Sequence, residues 1–340
     1  MKVVYEVGVI GCGYWGPNLI RNFMQMKKTN VAKIADLDPK RLEHIKELYP
    51  SISPTNDYRG IIEDPNIDII AIATPVKTHF KFAAEALAAG KHVFVEKPIA
   101  ASTAEAKELI ELAGKHRVKL MVGHTFLYTG AVRKMKEIID SGELGEIYYI
   151  NSQRLNLGLF QQDINVIWDL APHDLSIILY LLGKSPVAVS AAGTAHINPR
   201  VEDVATVTLY FEKDIIAFVQ SSWLDPDKIR RMTVVGSKKM MVYDDLQPSE
   251  KIRIYNKFVE KPTYYDTFAE FPYAYKYGDI VIPMLAGGEP IRLELEHLVE
   301  SIEKDKELLT DGQNGLQVVR LLEAANESLE NEGRKVPLDN

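Results

Sequence analysis

Three glycines, Gly11, Gly13 and Gly16, constrain this chain more than any other feature, because of where they stand. Before them, residues 3–10 form a β-branched run; after them, a helical apolar pattern extends from Tyr14 to about Met26. A G-x-G-x-x-G sequence between a strand and a helix supplies a tight turn, close backbone approach to a pyrophosphate, and close helix–strand packing. The helix N-terminus then offers free N–H groups to the anion. Asp36 closes the next apolar run (31–35) at the spacing where an acid hydrogen-bonds both ribose hydroxyls. Its carboxylate would repel a 2′-phosphate, so the expected cofactor is NAD rather than NADP, although Lys40 and Arg41 follow closely. Tyr14 and Trp15 are counted with the glycines as cofactor contacts, and Cys12 as a small filler. The competing reading is an ordinary glycine-rich turn.

Short apolar runs at 67–73, 91–95 and 119–122 alternate with helical patterns at 77–89 and 103–116. Ser102 and Glu105 form a capping-box pair, and Gly90 stands where a left-handed helix end is expected. Such alternation implies βαβ units and a parallel sheet. From about Tyr148 the rhythm changes to strand-like runs at 187–195, 204–211, 215–222, 232–235 and 251–255, which suggest an antiparallel sheet. Helices are expected at 174–182, 291–304 and 315–330. The predicted fold is an α/β Rossmann domain, a doubly wound parallel sheet, at 1–125. An α+β domain with an open-faced, mainly antiparallel sheet follows at 126–340, its closing helix packing back on the first domain.

Composition removes several classes of function. The 40 basic and 47 acidic residues give a net charge of -7, which argues against a nucleic-acid binder. One cysteine excludes a disulfide framework and a Cys-based zinc site, and fits a reducing compartment. The longest apolar stretches, such as 67–76, fall far short of the roughly 20 residues that span a bilayer. The first ten residues read as a strand, not a signal peptide. A cytoplasmic protein is expected, with no membrane partner.

Three further spots carry candidate chemistry. Thr74 and Pro75 end a strand at the carboxyl edge of the sheet, and His79 opens the next helix as either a site residue or a packing one. In Glu96-Lys97-Pro98 the lysine is either aimed into the nicotinamide crevice or a surface lysine beside a turn proline. Asp169 and His173 stand four apart, so on a helix they share a face. A carboxylate beside an imidazole raises its basicity and fixes its tautomer, as a general base requires. A capped helix start with Asp174 near its N-terminus explains the acids about as well. The remaining histidines lack metal-ligand spacing, and no metal is expected. The aromatic stretch 264–277 reads as sheet packing, an oligomer interface or a nucleobase stack.

Together, the Gly11 fingerprint, Glu96-Lys97-Pro98, Asp169-x-x-x-His173 and the helix after Asp311-Gly312 resemble the Gfo/Idh/MocA family of sugar and polyol oxidoreductases. The resemblance implies that Lys97, Asp169 and His173 form the catalytic trio. It also implies Glu96 among the cofactor contacts, and a homodimer or homotetramer formed through the second-domain sheet. Residues 13–18, and 154–158 ahead of 163–168, resemble its nucleotide-sugar 3-dehydrogenases, which oxidise C3 of UDP-N-acetylglucosamine or its uronate. That likeness makes Arg154, Asn156 and Asn165 candidate substrate contacts, with Arg154 and Asn156 suited to diphosphate and hydroxyl oxygens. Arg154 and Asn156 are equally readable as buried strand polar residues. His124 to Gly130 departs from the arginine and proline many members carry there. In the expected chemistry His173 takes the hydroxyl proton, Lys97 hydrogen-bonds the same oxygen, and Asp169 orients the pair. Lys97, with its pKa lowered by burial, is the competing base. The alternatives are a free polyol or inositol dehydrogenase and a non-catalytic NAD-binding sensor.

Overall fold

The computed structural model describes residues 4–260 and 274–338. The chain divides into two compact units, 1–128 with 288–323 and 129–287 with 324–340. The first unit is thus discontinuous in sequence.

The first unit opens with β1 (Tyr5–Ile10), α1 (Gly16–Gln25), β2 (Thr29–Ala35), α2 (Pro39–Leu48), β3 (Ser53–Thr55), α3 (Arg59–Ile62) and β4 (Ile69–Ile72). It continues through α4 (His79–Ala88), β5 (His92–Glu96), α5 (Thr103–His116) and β6 (Leu120–Gly123). The six strands are all parallel, in the order β3-β2-β1-β4-β5-β6. β4 is buried along its whole length, as strands covered on both faces are. The chain leaves β1 in one direction to β2 and returns to its other side as β4, so the β1/β4 boundary is the topological switch point. Ser102 caps α5 by accepting from the Glu105 N–H at 3.2 Å, and Glu105 reaches back to the Ala101 N–H. Gly90 takes φ +75° at the end of α4, as expected from sequence. β3 and α3 were not expected, since three residues of Ser-Pro-Thr carry no apolar run.

The second unit contains α6 (Gly130–Asp140), β7 (Ile147–Leu155), α7 (Val166–Leu182), β8 (Ala188–Thr194), β9 (Val204–Tyr210) and β10 (Ile216–Ser222). β11 (Ile229–Gly236), β12 (Met240–Asp244), β13 (Ile252–Glu260) and β14 (Ala274–Val281) follow. α8 (Pro290–Lys304) belongs to the first unit, α9 (Gly312–Glu330) begins there, and β15 (Val336–Pro337) closes the second. Among the described residues the second sheet runs β14-β13-β12-β11-β7-β10-β9-β8-β15. It is antiparallel except for β7 with β10, which pair in parallel. β9 and β10 alternate between buried and more accessible positions, and α7 packs on β7, β9 and β10. Tyr148, Tyr149 and Phe218 remain exposed on this chain. Residues 264–273 of the aromatic stretch 264–277 lie outside the described residues.

α7 starts eight residues earlier than expected, because Asn165 caps it by accepting from the Trp168 N–H at 3.2 Å. Asp174, read as a residue near a helix start, lies mid-helix and 4% exposed. It accepts from Arg154 Nε at 2.6 Å and from Ser152 Oγ at 2.7 Å, tying α7 to β7. Removing one partner of a buried ion pair strands the other charge. We therefore expect Arg154→Ala to lose ~3–5 kcal/mol in urea unfolding. The double replacement Arg154→Leu with Asp174→Leu should recover most of that loss.

Candidate active site

At the switch point the three glycines carry three distinct constraints. Gly11 takes φ +99°, and a Cβ there would stand 2.5 Å from the Ala73 carbonyl oxygen at the end of β4. A Cβ on Gly16 would stand 2.2 Å from the Gly11 oxygen. Only glycine permits either approach. Gly13 is different: its Cβ would meet only Arg41 Nη1, at 3.6 Å, which leaves the backbone open to a ligand. α1 has no side-chain cap, but Pro17 in its first turn has no N–H and the Asn18 and Leu19 N–H groups donate to the Trp15 carbonyl, so an anion here would be met chiefly by the glycine turn itself.

A cavity of ≈ 680 Å³ lies over this loop, lined by Gly11, Tyr14, Trp15, Asp36, Thr74 and Pro75 among others. Asp36 Oδ2 accepts from the Cys12 N–H at 2.7 Å and Oδ1 from the Asp38 N–H at 2.8 Å. Those bonds fix the carboxylate, and each oxygen keeps capacity for a ribose hydroxyl. Arg41 Nη1 stands 3.6 Å from Asp36 Oδ2. The buried Cys12 thiol is pushed up to about 12, first by burial and then by the Asp36 charge, so it is not a nucleophile. Tyr58, Lys81 and Phe82 also line the cavity, with the Tyr58 and Phe82 rings 4.5 Å apart. No spacing rule connects these residues to Gly11. The loop, the acid and the cavity together fit a dinucleotide.

His79 is 1% exposed and stands between two carbonyls, with Nδ1 2.8 Å from Pro98 O and Nε2 2.8 Å from Thr74 O. It links the turn after β4 to the turn after β5, and its ring is not among the cavity-lining residues. Burial lowers its pKa, against the two carbonyls, which favour the charged ring. Glu96 is buried too, with its carboxyl against Gly123, and burial pushes it up to about 7 while the Lys97 charge opposes the rise. Lys97 follows at the end of β5, half-buried.

In the second unit, Asp169 and His173 lie one turn apart within α7, both half-buried. Asp169 Oδ2 accepts from Trp223 Nε1 at 2.9 Å, which anchors the carboxylate. Pro172, inside the helix, withholds an N–H from the Trp168 carbonyl beside this pair. The remaining substrate candidates are engaged locally. The Arg154 side chain is 6% exposed and spent on Asp174, which supports its reading as a buried strand residue. Asn165 caps α7 and donates to Glu202 and Asn326. Asn156 lies half-buried at the end of β7, its Nδ2 3.0 Å from where a Gly158 Cβ would be.

Residues 5–124 match the profile "Oxidoreductase family, NAD-binding Rossmann fold", and residues 132–242 match the GFO/IDH/MocA C-terminal domain. The UDP-N-acetylglucosamine 3-dehydrogenase of Acidithiobacillus ferrooxidans is 28% identical over 74% of this chain and 77% of its own length. The myo-inositol 2-dehydrogenase of Thermotoga maritima is 24% identical over 98% of each chain. The solved structure of the Acidithiobacillus enzyme, GnnA, shares the fold with a TM-score of 0.78 at 24% identity, over 96% of this chain and 97% of that one. Among the described residues no helix is long and apolar enough to cross a membrane. With both of its domains matched in order, the chain belongs to the Gfo/Idh/MocA family of NAD-binding oxidoreductases.

Proposed function

We propose that this chain oxidises the C3 hydroxyl of a UDP-N-acetylhexosamine, or its uronate, with NAD. The reaction class is carried by one observation: an Asp36-fixed dinucleotide cavity in one unit and an anchored Asp169–His173 pair in the other. The substrate class rests on the 28% identity to the UDP-N-acetylglucosamine 3-dehydrogenase. The similarity to myo-inositol 2-dehydrogenase over nearly the whole chain favours a second reading, a free polyol dehydrogenase. The single cysteine supports a reducing, cytoplasmic compartment, and the exposed aromatics of the second sheet support a homodimer or homotetramer.

Oxidation of a secondary alcohol removes a proton from oxygen and a hydride from the same carbon. Bound NAD supplies the hydride acceptor. His173 takes the hydroxyl proton, and Asp169, held by Trp223, fixes its tautomer. Lys97 hydrogen-bonds the same oxygen and stabilises the developing negative charge. Asp36 would hold the adenosine ribose, and the Gly11–Gly16 turn ahead of α1 would hold the pyrophosphate.

Alanine at Lys97 or His173 is expected to lower kcat by roughly 10²–10⁴ with NAD affinity nearly unchanged. The double variant should be little worse than the worse single one, as in groups that act together. Additive losses, or near-normal turnover in His173→Ala, would sink the pairing. Asp36→Ser should weaken NAD and improve NADP, since it removes the ribose contact and the charge repulsion together. A wild-type preference for NADP of about tenfold, or about 1.4 kcal/mol, would refute the cofactor assignment. For the substrate, kcat/KM should be higher for UDP-N-acetylglucosamine or its uronate than for free N-acetylglucosamine and myo-inositol. The remote nucleotide would supply binding energy that positions C3. A free sugar or inositol outperforming both UDP-sugars would replace this reading with the polyol one.

A further inference from the structure

Within the second unit, the segment that follows β7 closes on the residue that follows β10. The Asn156 N–H donates to the Ser222 carbonyl at 3.2 Å, and the Gly158 N–H to the Trp223 carbonyl at 3.0 Å. The Trp223 N–H donates in turn to the Asp203 carbonyl at 2.9 Å, so the tryptophan backbone is held on both sides. Trp223 is 1% exposed, and the Phe160 ring lies 5.6 Å from its ring, centroid to centroid. From this setting the indole Nε1–H donates to Asp169 Oδ2 at 2.9 Å.

Gly158 does not take a left-handed φ, so backbone strain is not what keeps a side chain out of this position. What a side chain would meet is the indole. A Cβ at Gly158 would stand 2.8 Å from Trp223 Cδ1 and 3.3 Å from Cγ, and 3.0 Å from Asn156 Nδ2. Cδ1 is bonded to Nε1, so a methyl group there presses on the ring beside the very atom that donates to Asp169. With its backbone clamped, the buried ring yields by turning about its side-chain bonds, which carries Nε1 away from the carboxylate.

We propose that Gly158 and Trp223 are positioning residues for the alcohol oxidation. The bare glycine lets the segment after β7 seat against the indole, and the indole N–H then holds the Asp169 carboxylate where His173 uses it. The proposal rests on the reading of Asp169 and His173 as the catalytic pair. Gly158 acts through Trp223, and Trp223 through Asp169.

The test uses the full-length enzyme with NAD and its best substrate. Trp223→Phe keeps an aromatic ring without the N–H, and should lower kcat on the order of tenfold, the scale of one hydrogen bond to a charged group. KM should barely move, because the lost bond is not one to the substrate. Gly158→Ala should give the same loss. Once Trp223→Phe has removed the donor and shortened the ring, adding Gly158→Ala should cost little more. In an Asp169→Ala background neither change should lower the residual turnover further. The indole N–H resonance of Trp223, identified by its loss in Trp223→Phe, should shift in Gly158→Ala in the direction it shifts in Asp169→Ala. If Trp223→Phe does not fold, Gly158→Ala and the indole resonance decide. Losses that simply add, or normal turnover in Trp223→Phe while Asp169→Ala is crippled, overturn the positioning role. So does a Gly158→Ala enzyme with an unshifted indole resonance and a defect in KM alone, which traces the glycine to the Asn156 amide instead. Near-normal turnover in Asp169→Ala overturns the catalytic pair itself, whatever the indole resonance does.

Discussion

The approach of the Gly11 backbone to the end of β4 is the contact on which the first unit's site depends. A side chain at Gly11 would stand 2.5 Å from the Ala73 carbonyl oxygen, and one at Gly16 would stand 2.2 Å from the Gly11 oxygen. With both absent, the loop folds down over the switch point and α1 starts directly above it. The carboxyl ends of β1 and β4 then open into one cavity, and β2 brings Asp36 to its rim. Asp36 in turn locks the loop by accepting the Cys12 N–H. The carboxylate at the cavity rim therefore also holds the glycine turn in shape.

Buried charge is handled differently in the two units. In the second, Arg154 meets Asp174 with two hydrogen bonds and Ser152 adds a third, so the pair is internally satisfied. Such a pair fixes α7 on β7 more than it adds net stability. In the first, Glu96 and Glu294 are each buried, with the Lys97 charge acting on Glu96 and the Glu96 charge on Glu294. Fewer hydrogen bonds compensate them, and both are pushed upward. Protonation there answers to the surroundings, as it does where chemistry moves protons.

The histidines divide along the same line. His79 is closed off between two carbonyls and ties two strand ends together, whereas His173 sits half-buried one turn from an anchored carboxylate. His79 is thus engaged by backbone carbonyls, while His173 keeps partial exposure.

Sequence alone determined the alternation of strands and helices in the first unit, apart from β3 and α3, and the place of the glycine turn. Those depend on local rules: a β-branched run, glycine punctuation, the Ser102 cap, and an acid at the end of the next strand. It also marked Lys97, Asp169 and His173 through their neighbours in the chain. Tertiary structure decided what distant residues do to one another. Arg154 looked as suitable for a diphosphate as for a core ion pair until α7 placed Asp174 beside it. Glu294 carries no local signal, because only the return of α8 to the first unit brings it to Thr125, 169 residues away. The parallel pairing of β7 with β10 was hidden for the same reason. Periodicity reports which face of a segment is apolar, whereas partners, register and the protonation of buried groups depend on contacts between segments far apart in sequence.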